Sequence, residues 1–195
     1  MTENVAQRYP ESYAAIHQAT RESGFTMASD VQVGAFLKTL AASKPGGKFL
    51  ELGTGTGLST SWILDGMDAA ATLVSVDHDP ALLRIARQYL GHDHRLTLAE
   101  TDGAAWIEQN KELKFDFIFA DTWHGKYLML EEVLNMLSPA ALYIVDDMLP
   151  QENWPEGHQE KATALVKKLE DRNDLFLSKL HWSTGVILAV KHPAD

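Results

Sequence analysis

The chain has 195 residues, 45% hydrophobic and 23% charged, close to the average for globular proteins, which excludes wholesale disorder and a fibrous repeat. Seventeen Lys and Arg against 27 Asp and Glu give a net charge of −10, which opposes attraction to nucleic acid or an anionic membrane and favours a small ligand. With no cysteine there is no disulfide framework, thiolate nucleophile or cysteine-ligated zinc.

The length suits one domain over residues 1–195, with a helical cap at 1–43 and an α/β core at 44–195. Met1-Thr2-Glu3-Asn4 has no basic stretch leading into an apolar one, and no window reaches the roughly 18 apolar residues of a membrane span, so a cytoplasmic location is expected. Residues 4–22 and 31–43 have helical periodicity but no strand of their own, and are placed to cap or lid a site. From residue 48 onward, short β-rich apolar runs alternate with helix-patterned segments, as in a parallel sheet covered on both faces. The runs are 48–52, 72–77, 95–100, 115–120 and 141–146, and the helices between them are predicted at about 58–67, 80–91, 103–111 and 126–137. In the last of these, Leu128, Leu130, Val133, Leu134 and Leu137 set the helical spacing. After a helix at about 158–172, the runs 175–182 and 184–191 are joined by so little chain that they can only pair antiparallel. The expectation is an α/β fold: a Rossmann-like doubly wound sheet of seven strands, mostly parallel, with a C-terminal antiparallel hairpin and the N-terminal helices near the ligand crevice. Residues 151–157, with Pro150 before them and Pro155 among them, are the best candidate for a mobile loop.

Glu51-Leu52-Gly53-Thr54-Gly55-Thr56-Gly57 follows the first strand and leads into a helix, the place where sheet topology puts a nucleotide-type ligand. Glycine at 53, 55 and 57 lets the backbone approach that ligand. A dinucleotide fingerprint would require a glycine at 58, and Leu58 is there instead, which weakens a nicotinamide reading. Val74-Ser75-Val76-Asp77 closes the second strand, where an acid can accept hydrogen bonds from ribose hydroxyls; Asp79 before Pro80 is available to cap the next helix.

The glycine loop, Asp77, Thr101-Asp102-Gly103, Phe115–Ala120 with Asp121, and 141–145 followed by Asp146-Asp147 together resemble the cation-dependent O-methyltransferases, the catechol and caffeoyl-CoA group within the class I S-adenosylmethionine-dependent methyltransferases. The similarity runs from about Met27 to the C-terminal hairpin; no one of these motifs is decisive, but five in order at strand ends are. It implies S-adenosylmethionine as cofactor, contacted by Met27, Glu51, Gly53, Thr54, Gly55, Gly57, Ser59, Asp77, Asp102, Gly103 and Asp121, with Ser59 on the methionine carboxylate and Trp123 stacked on the adenine. His78 joins this set by position alone: like His17, His92, His94, His158, His181 and His192 it shows no ligand spacing, and these seven are expected to be solvated or structural.

The resemblance also implies a divalent cation, Mg²⁺ or else Mn²⁺ or Ca²⁺, on Asp121, Asp146 and Asp147, although the family usually has asparagine where Asp147 stands. Both of the last two can ligate only if the fifth strand ends near Val145, since successive strand side chains point to opposite faces. Where the family places a lysine three residues beyond the first metal aspartate this chain has His124, which becomes the candidate general base alongside Asp121, with Lys126 as the substitute. The expected activity is O-methylation of a small-molecule hydroxyl, with a catechol-like acceptor as one candidate and a homodimer as one candidate assembly. A metal-independent methyltransferase, a non-catalytic cofactor-binding module and a dehydrogenase are the competing readings; a nucleic-acid methyltransferase is disfavoured because Ala120-Asp121-Thr122-Trp123 is not its target motif.

Overall fold

In the computed structural model, residues 8–151 and 154–193 are described. Fourteen elements follow in chain order: α1 (Tyr13–Ser23), α2 (Val31–Ala42), β1 (Lys48–Leu52), α3 (Leu58–Gly66), β2 (Thr72–Asp77), α4 (Pro80–Leu90), β3 (Leu96–Glu100), α5 (Gly103–Asn110), β4 (Phe115–Ala120), α6 (Leu130–Asn135), β5 (Leu137–Val145), α7 (His158–Glu170), β6 (Leu175–Leu180) and β7 (Val186–Lys191). The strands form one sheet in the order β3-β2-β1-β4-β5-β7-β6. All neighbours pair parallel except at β7, which is antiparallel to both β5 and β6. The expected hairpin is therefore present, and its second strand is inserted between β5 and β6.

Side-chain alternation along the central strands fills both faces of this sheet. Leu50, Leu52, Ile118, Ala120, Tyr143 and Val145 point to a core closed by Trp106 and Ile107 of α5, Val133 and Leu134 of α6, and Leu165 and Leu169 of α7. Their neighbours Phe49, Phe117, Phe119, Leu142 and Ile144 point the other way, against Val33 and Leu37 of α2 and Ile63 and Leu64 of α3. The chain order reverses direction between β1 and β4, so the carboxyl ends of β1, β2, β4 and β5 flank an open crevice.

Three segments depart from the sequence expectation. The first helix starts at Tyr13, just after Pro10, rather than at residue 4, and residues 4–7 lie outside the described residues. The helix predicted at 126–137 shrinks to Leu130–Asn135: Gly125 (φ 82°) and Met129 (φ 55°) are left-handed, and the Trp123 carbonyl accepts the amides of Lys126, Tyr127 and Leu128 in a closed turn. β5 accordingly starts early, at Leu137 rather than at 141. It bulges between the pairs Phe115–Leu137 and Phe117–Leu142, with Ala140 at φ 60°. Pro139 explains the bulge, because proline has no amide to donate to a sheet ladder. Of the proposed mobile stretch at 151–157, residues 152 and 153 lie outside the described residues. Among the described residues no helix is long and apolar enough to cross a membrane.

Candidate active site

β1 ends at Leu52, and the chain turns through glycines of positive φ, Gly53 at 102°, Gly55 at 53° and Gly57 at 93°. Only glycine fits at the first of them, since a Cβ on Gly53 would lie 2.8 Å from the Asp121 carbonyl oxygen. The loop is tied to β2 by the amides of Gly53 and Thr54, both donating to the Val76 carbonyl (2.9 and 3.3 Å). The Gly55 amide donates to Asp77 Oδ2 at 2.8 Å, and the other oxygen of Asp77 accepts from the Asp79 amide at 2.9 Å. Asp79 caps α4 through the amides of Ala81 and Leu82, as its position before Pro80 suggested, so Asp77 is not needed as a cap. The N-terminal segment closes the other side: the Thr20 and Thr56 hydroxyls share a 2.7 Å hydrogen bond, and Phe25 faces Gly55.

Glu51 does not line this crevice. It is fully buried beneath the loop and accepts the hydroxyls of Ser59 (2.6 Å), Thr60 (2.5 Å) and Ser75 (2.5 Å). Burial pushes its carboxyl up to about 7, against the three hydroxyls, which hold it down. The structure thus makes Glu51 a support of the loop rather than a ligand contact, and the Ser59 hydroxyl, though at the crevice wall, is committed to Glu51. The amides of the first turn of α3 remain directed at the crevice as a helix N-terminus.

At the β3 side, Asp102 caps α5 through the Ala105 amide (3.0 Å), and its exposed side chain lies outside the crevice wall that Gly103 forms. His124 packs on Gly103, where a Cβ would sit 2.7 Å from its Nδ1, and its Nε2 is 4.0 Å from Asp102. His124 is thus directed at the β3–α5 turn. Met27 and His78 lie on the exposed rim, the latter 3.7 Å from Asp77. Trp123 meets Tyr127 and His158 edge-on at 5.8 and 6.0 Å, with Lys161 over its ring at 5.3 Å.

Asp121 follows β4, while Asp146 and Asp147 follow β5, which ends at Val145 as a shared role for the pair required. Asp121 Oδ2 accepts from Ser29 at 3.2 Å. Asp146 Oδ1 accepts from the Thr184 hydroxyl and, at 2.8 Å, from the Asp147 amide. Burial, and then the charge of Asp146, raise the Asp121 carboxyl well above the usual carboxylate range. Asp146 is pushed up to about 6, again chiefly by burial, with the Thr184 hydroxyl opposing. Beside them is Lys126, buried at 4% exposure, whose Nζ donates to the Asp146 backbone carbonyl at 2.7 Å and whose charge, from beyond ion-pair distance, holds both carboxyls down. Among the described residues no three carboxylate or imidazole side chains are placed to hold a metal ion. The donors from Ser29, Thr184 and the Asp147 amide engage only Asp121 Oδ2 and Asp146 Oδ1, so the acids keep acceptor oxygens although they are not gathered as a ligand set.

Glycine loop, Asp77, the three acids and the aromatic wall line one cavity of about 950 Å³. Sequence reasoning missed the far wall. His158, expected to be solvated or structural, is 8% exposed, stacks on Trp154 at 4.3 Å and shares a 3.0 Å hydrogen bond with Tyr127. Burial, then Lys126, lower the His158 pKa, which favours the neutral ring.

A doubly wound sheet whose penultimate-to-edge strand is reversed, with a glycine loop after β1 and an acid closing β2, defines a class I methyltransferase fold. The chain belongs to the methyltransferase domain family, whose model matches residues 50–148. It is 28% identical over 146 residues to catechol O-methyltransferase B of Danio rerio, covering 70% of this chain and 55% of that protein. The chain spans about half the length of the curated relatives it matches. Its fold is shared by an O-methyltransferase from Bacillus cereus solved in complex with S-adenosylhomocysteine (TM-score 0.84, 19% identity, 96% and 93% of the two chains). A Streptomyces achromogenes O-methyltransferase involved in tomaymycin synthesis, solved with S-adenosylmethionine, is similar to the same degree (TM-score 0.83, 20% identity, 96% and 92%).

Proposed function

We propose that this chain transfers a methyl group from S-adenosylmethionine to the hydroxyl of a small molecule. The observation that carries this reading is the single cavity that joins a nucleoside-type cradle, the glycine loop with Asp77, to a second compartment walled by Asp121, Lys126, Tyr127, Trp154 and His158. The cradle fits the cofactor. The loop backbone is bare of Cβ atoms, Asp77 has lone pairs left for two hydroxyls, and the N-terminus of α3 favours a carboxylate. Bound there, S-adenosylmethionine supplies an electrophilic sulfonium methyl, so the protein has mainly to align an acceptor oxygen with it and keep water away.

The second compartment supplies that alignment. The rings of Trp154 and Tyr127 give an aromatic wall for a small acceptor, and a net charge of −10 disfavours polyanionic ones. As the acceptor oxygen forms its bond to the methyl carbon, the carbon–sulfur bond breaks, sulfur keeps the electron pair, and the hydroxyl proton passes to a base. Asp121 and His124 both line the cavity; we assign the proton to Asp121, whose carboxyl burial raises, because the His124 ring packs on Gly103 beside Asp102. The cation assistance that the family resemblance implied is not part of this reading, because among the described residues the three acids are not gathered as a ligand set.

The test combines binding and turnover. S-adenosylhomocysteine, but not NAD, should protect the protein against thermal unfolding, and labelled S-adenosylmethionine should pass its methyl to members of a panel of catechol-like and simple phenolic acceptors. Protection by NAD alone would return the dehydrogenase reading; protection by S-adenosylhomocysteine with no transfer to any hydroxyl would leave a binding module.

A further inference from the structure

We infer that Tyr127 is the hydrogen-bond donor that meets the acceptor oxygen, and that His158 is the positioning residue that keeps the phenol hydrogen free for it by carrying its own ring hydrogen on Nε2. That this hydrogen is free rests on the geometry of the pair; that it meets a methyl acceptor rests on the proposed methyl transfer.

Tyr127 comes from the turn after β4 and His158 is the first residue of α7, and both line the cavity. Their polar atoms meet at 3.0 Å, phenol oxygen to imidazole Nε2. Trp154 stacks on the imidazole at 4.3 Å and Tyr127 meets it edge-on at 5.2 Å, so the ring is held in place from two sides. One hydrogen lies between the two polar atoms, and its owner is decided at the far side of the ring. His158 is 8% exposed, and its buried Nδ1 has no hydrogen-bond partner among the described residues. If the phenol donated to Nε2, the neutral ring would carry its hydrogen on Nδ1 and strand a buried N–H; a doubly protonated ring would strand the same group. With the hydrogen on Nε2, Nδ1 keeps only a lone pair, and an unmatched acceptor is the orphan that folded proteins tolerate more readily. Burial and Lys126, which lower the His158 pKa, act in the same direction against the doubly protonated ring. The Nε2 hydrogen therefore goes to the Tyr127 oxygen, and the phenol's own hydrogen has no acceptor among the described residues. Burial, which pushes this hydroxyl up to about 12, keeps that hydrogen in place at neutral pH. A donor of this kind suits an oxygen: one lone pair attacks the methyl, another takes the Tyr127 hydrogen, and the bond strengthens as the acceptor proton leaves for the base. A protonated amine has no lone pair to offer, so the pair selects a hydroxyl or phenolate over an ammonium.

The tautomer and the donor are read separately, both on the whole protein and neither by turnover. The ¹⁵N spectrum of protein labelled in histidine, with His158 assigned by its contacts to the Trp154 and Tyr127 rings, should show Nε2 protonated and Nδ1 bare at neutral pH. The donor is read with 4-nitrophenolate, a phenolate that absorbs visible light, added to the protein with saturating S-adenosylhomocysteine. Tyr127→Phe, which removes the hydroxyl and keeps the ring, should weaken its binding about tenfold or more, the size of a hydrogen bond to a charged group. The bound band should also move to longer wavelength in that variant, because a phenolate relieved of a hydrogen bond absorbs further to the red. A protonated Nδ1 overturns the inference. So does failure of 4-nitrophenolate to bind wild type, or equal affinity and equal band position in wild type and Tyr127→Phe. Should Tyr127→Phe fail to fold, the wild-type tautomer decides. Failure of S-adenosylhomocysteine to bind would strike the methyltransferase reading instead, and the tautomer would still decide whether the Tyr127 hydrogen is free.

Discussion

Replacing Glu51 by glutamine should remove a pH dependence of stability that the wild type carries. The carboxyl is fully buried under the glycine loop and pushed from 4.5 up to about 7. Between those two values the folded protein keeps a proton that the unfolded chain has released, so the stability associated with this group is full below about 4.5, falls as pH rises towards 7, and stays at the lower level above it. A shift of that size corresponds to about 3 kcal/mol, at 1.36 kcal/mol per unit, and burial leaves little solvent to screen it. Glutamine has no charge to bury, and its amide oxygen can still accept a hydroxyl from Ser59, Thr60 or Ser75. Whatever the amide costs in that network is the same at every pH. The difference in unfolding free energy, Glu51→Gln minus wild type, should therefore rise by about 3 kcal/mol from pH 4.5 to pH 8, measured by urea denaturation in buffers of equal ionic strength. Asp121 and Asp146 also titrate high, but they do so in both proteins and cancel from the difference. A difference that stays flat to within about 0.5 kcal/mol over that range would refute the reasoning, since it would mean the folded and unfolded carboxyls titrate alike.

Two further substitutions probe the cradle and the lysine turn. Asp77→Ala removes both the prospective ribose acceptor and the anchor of the Gly55 amide, and should weaken S-adenosylhomocysteine binding by about 2–4 kcal/mol in calorimetry; unchanged affinity would take Asp77 out of the site. Gly125→Ala places a Cβ 2.6 Å from Leu52 Cδ1 at φ 82°, and should lower unfolding free energy by about 1–3 kcal/mol; wild-type stability would show that the turn relaxes more easily than its geometry implies.

What could be read from the sequence is what regular elements place. Alternating βα segments put Gly53, Asp77, Asp121 and Asp146 at strand ends on one edge of the sheet, and no detail of side-chain packing was needed to bring them together. Asp79 before Pro80 could likewise be assigned, because a cap acts through the next few amides only. The 128–137 region failed for a definite reason: Leu128, Leu130, Val133, Leu134 and Leu137 fit a helical period, but Leu137 is already the first residue of β5. A hydrophobic period cannot mark where a helix hands over to a strand. The marker is the sign of φ at Gly125, Met129 and Ala140, and two of those three are residue types with no preference for the left-handed region. The same blindness hid the cation of the site. His124 and Lys126 are two residues apart, and whichever of them reaches the end of β5 is decided by how the chain turns at Gly125 between them: His124 is sent to Gly103 and Asp102, Lys126 to the Asp146 backbone carbonyl. Asp147 (φ 57°) and Ser183 (φ 52°), beside the acid pair and the Thr184 hydroxyl, belong to this group as well. All four non-glycine residues of positive φ among those described fall between β4 and β7, so the cradle and the strand-end acids were legible, whereas the course of the turns around those acids, whose hand only tertiary packing imposes, was not.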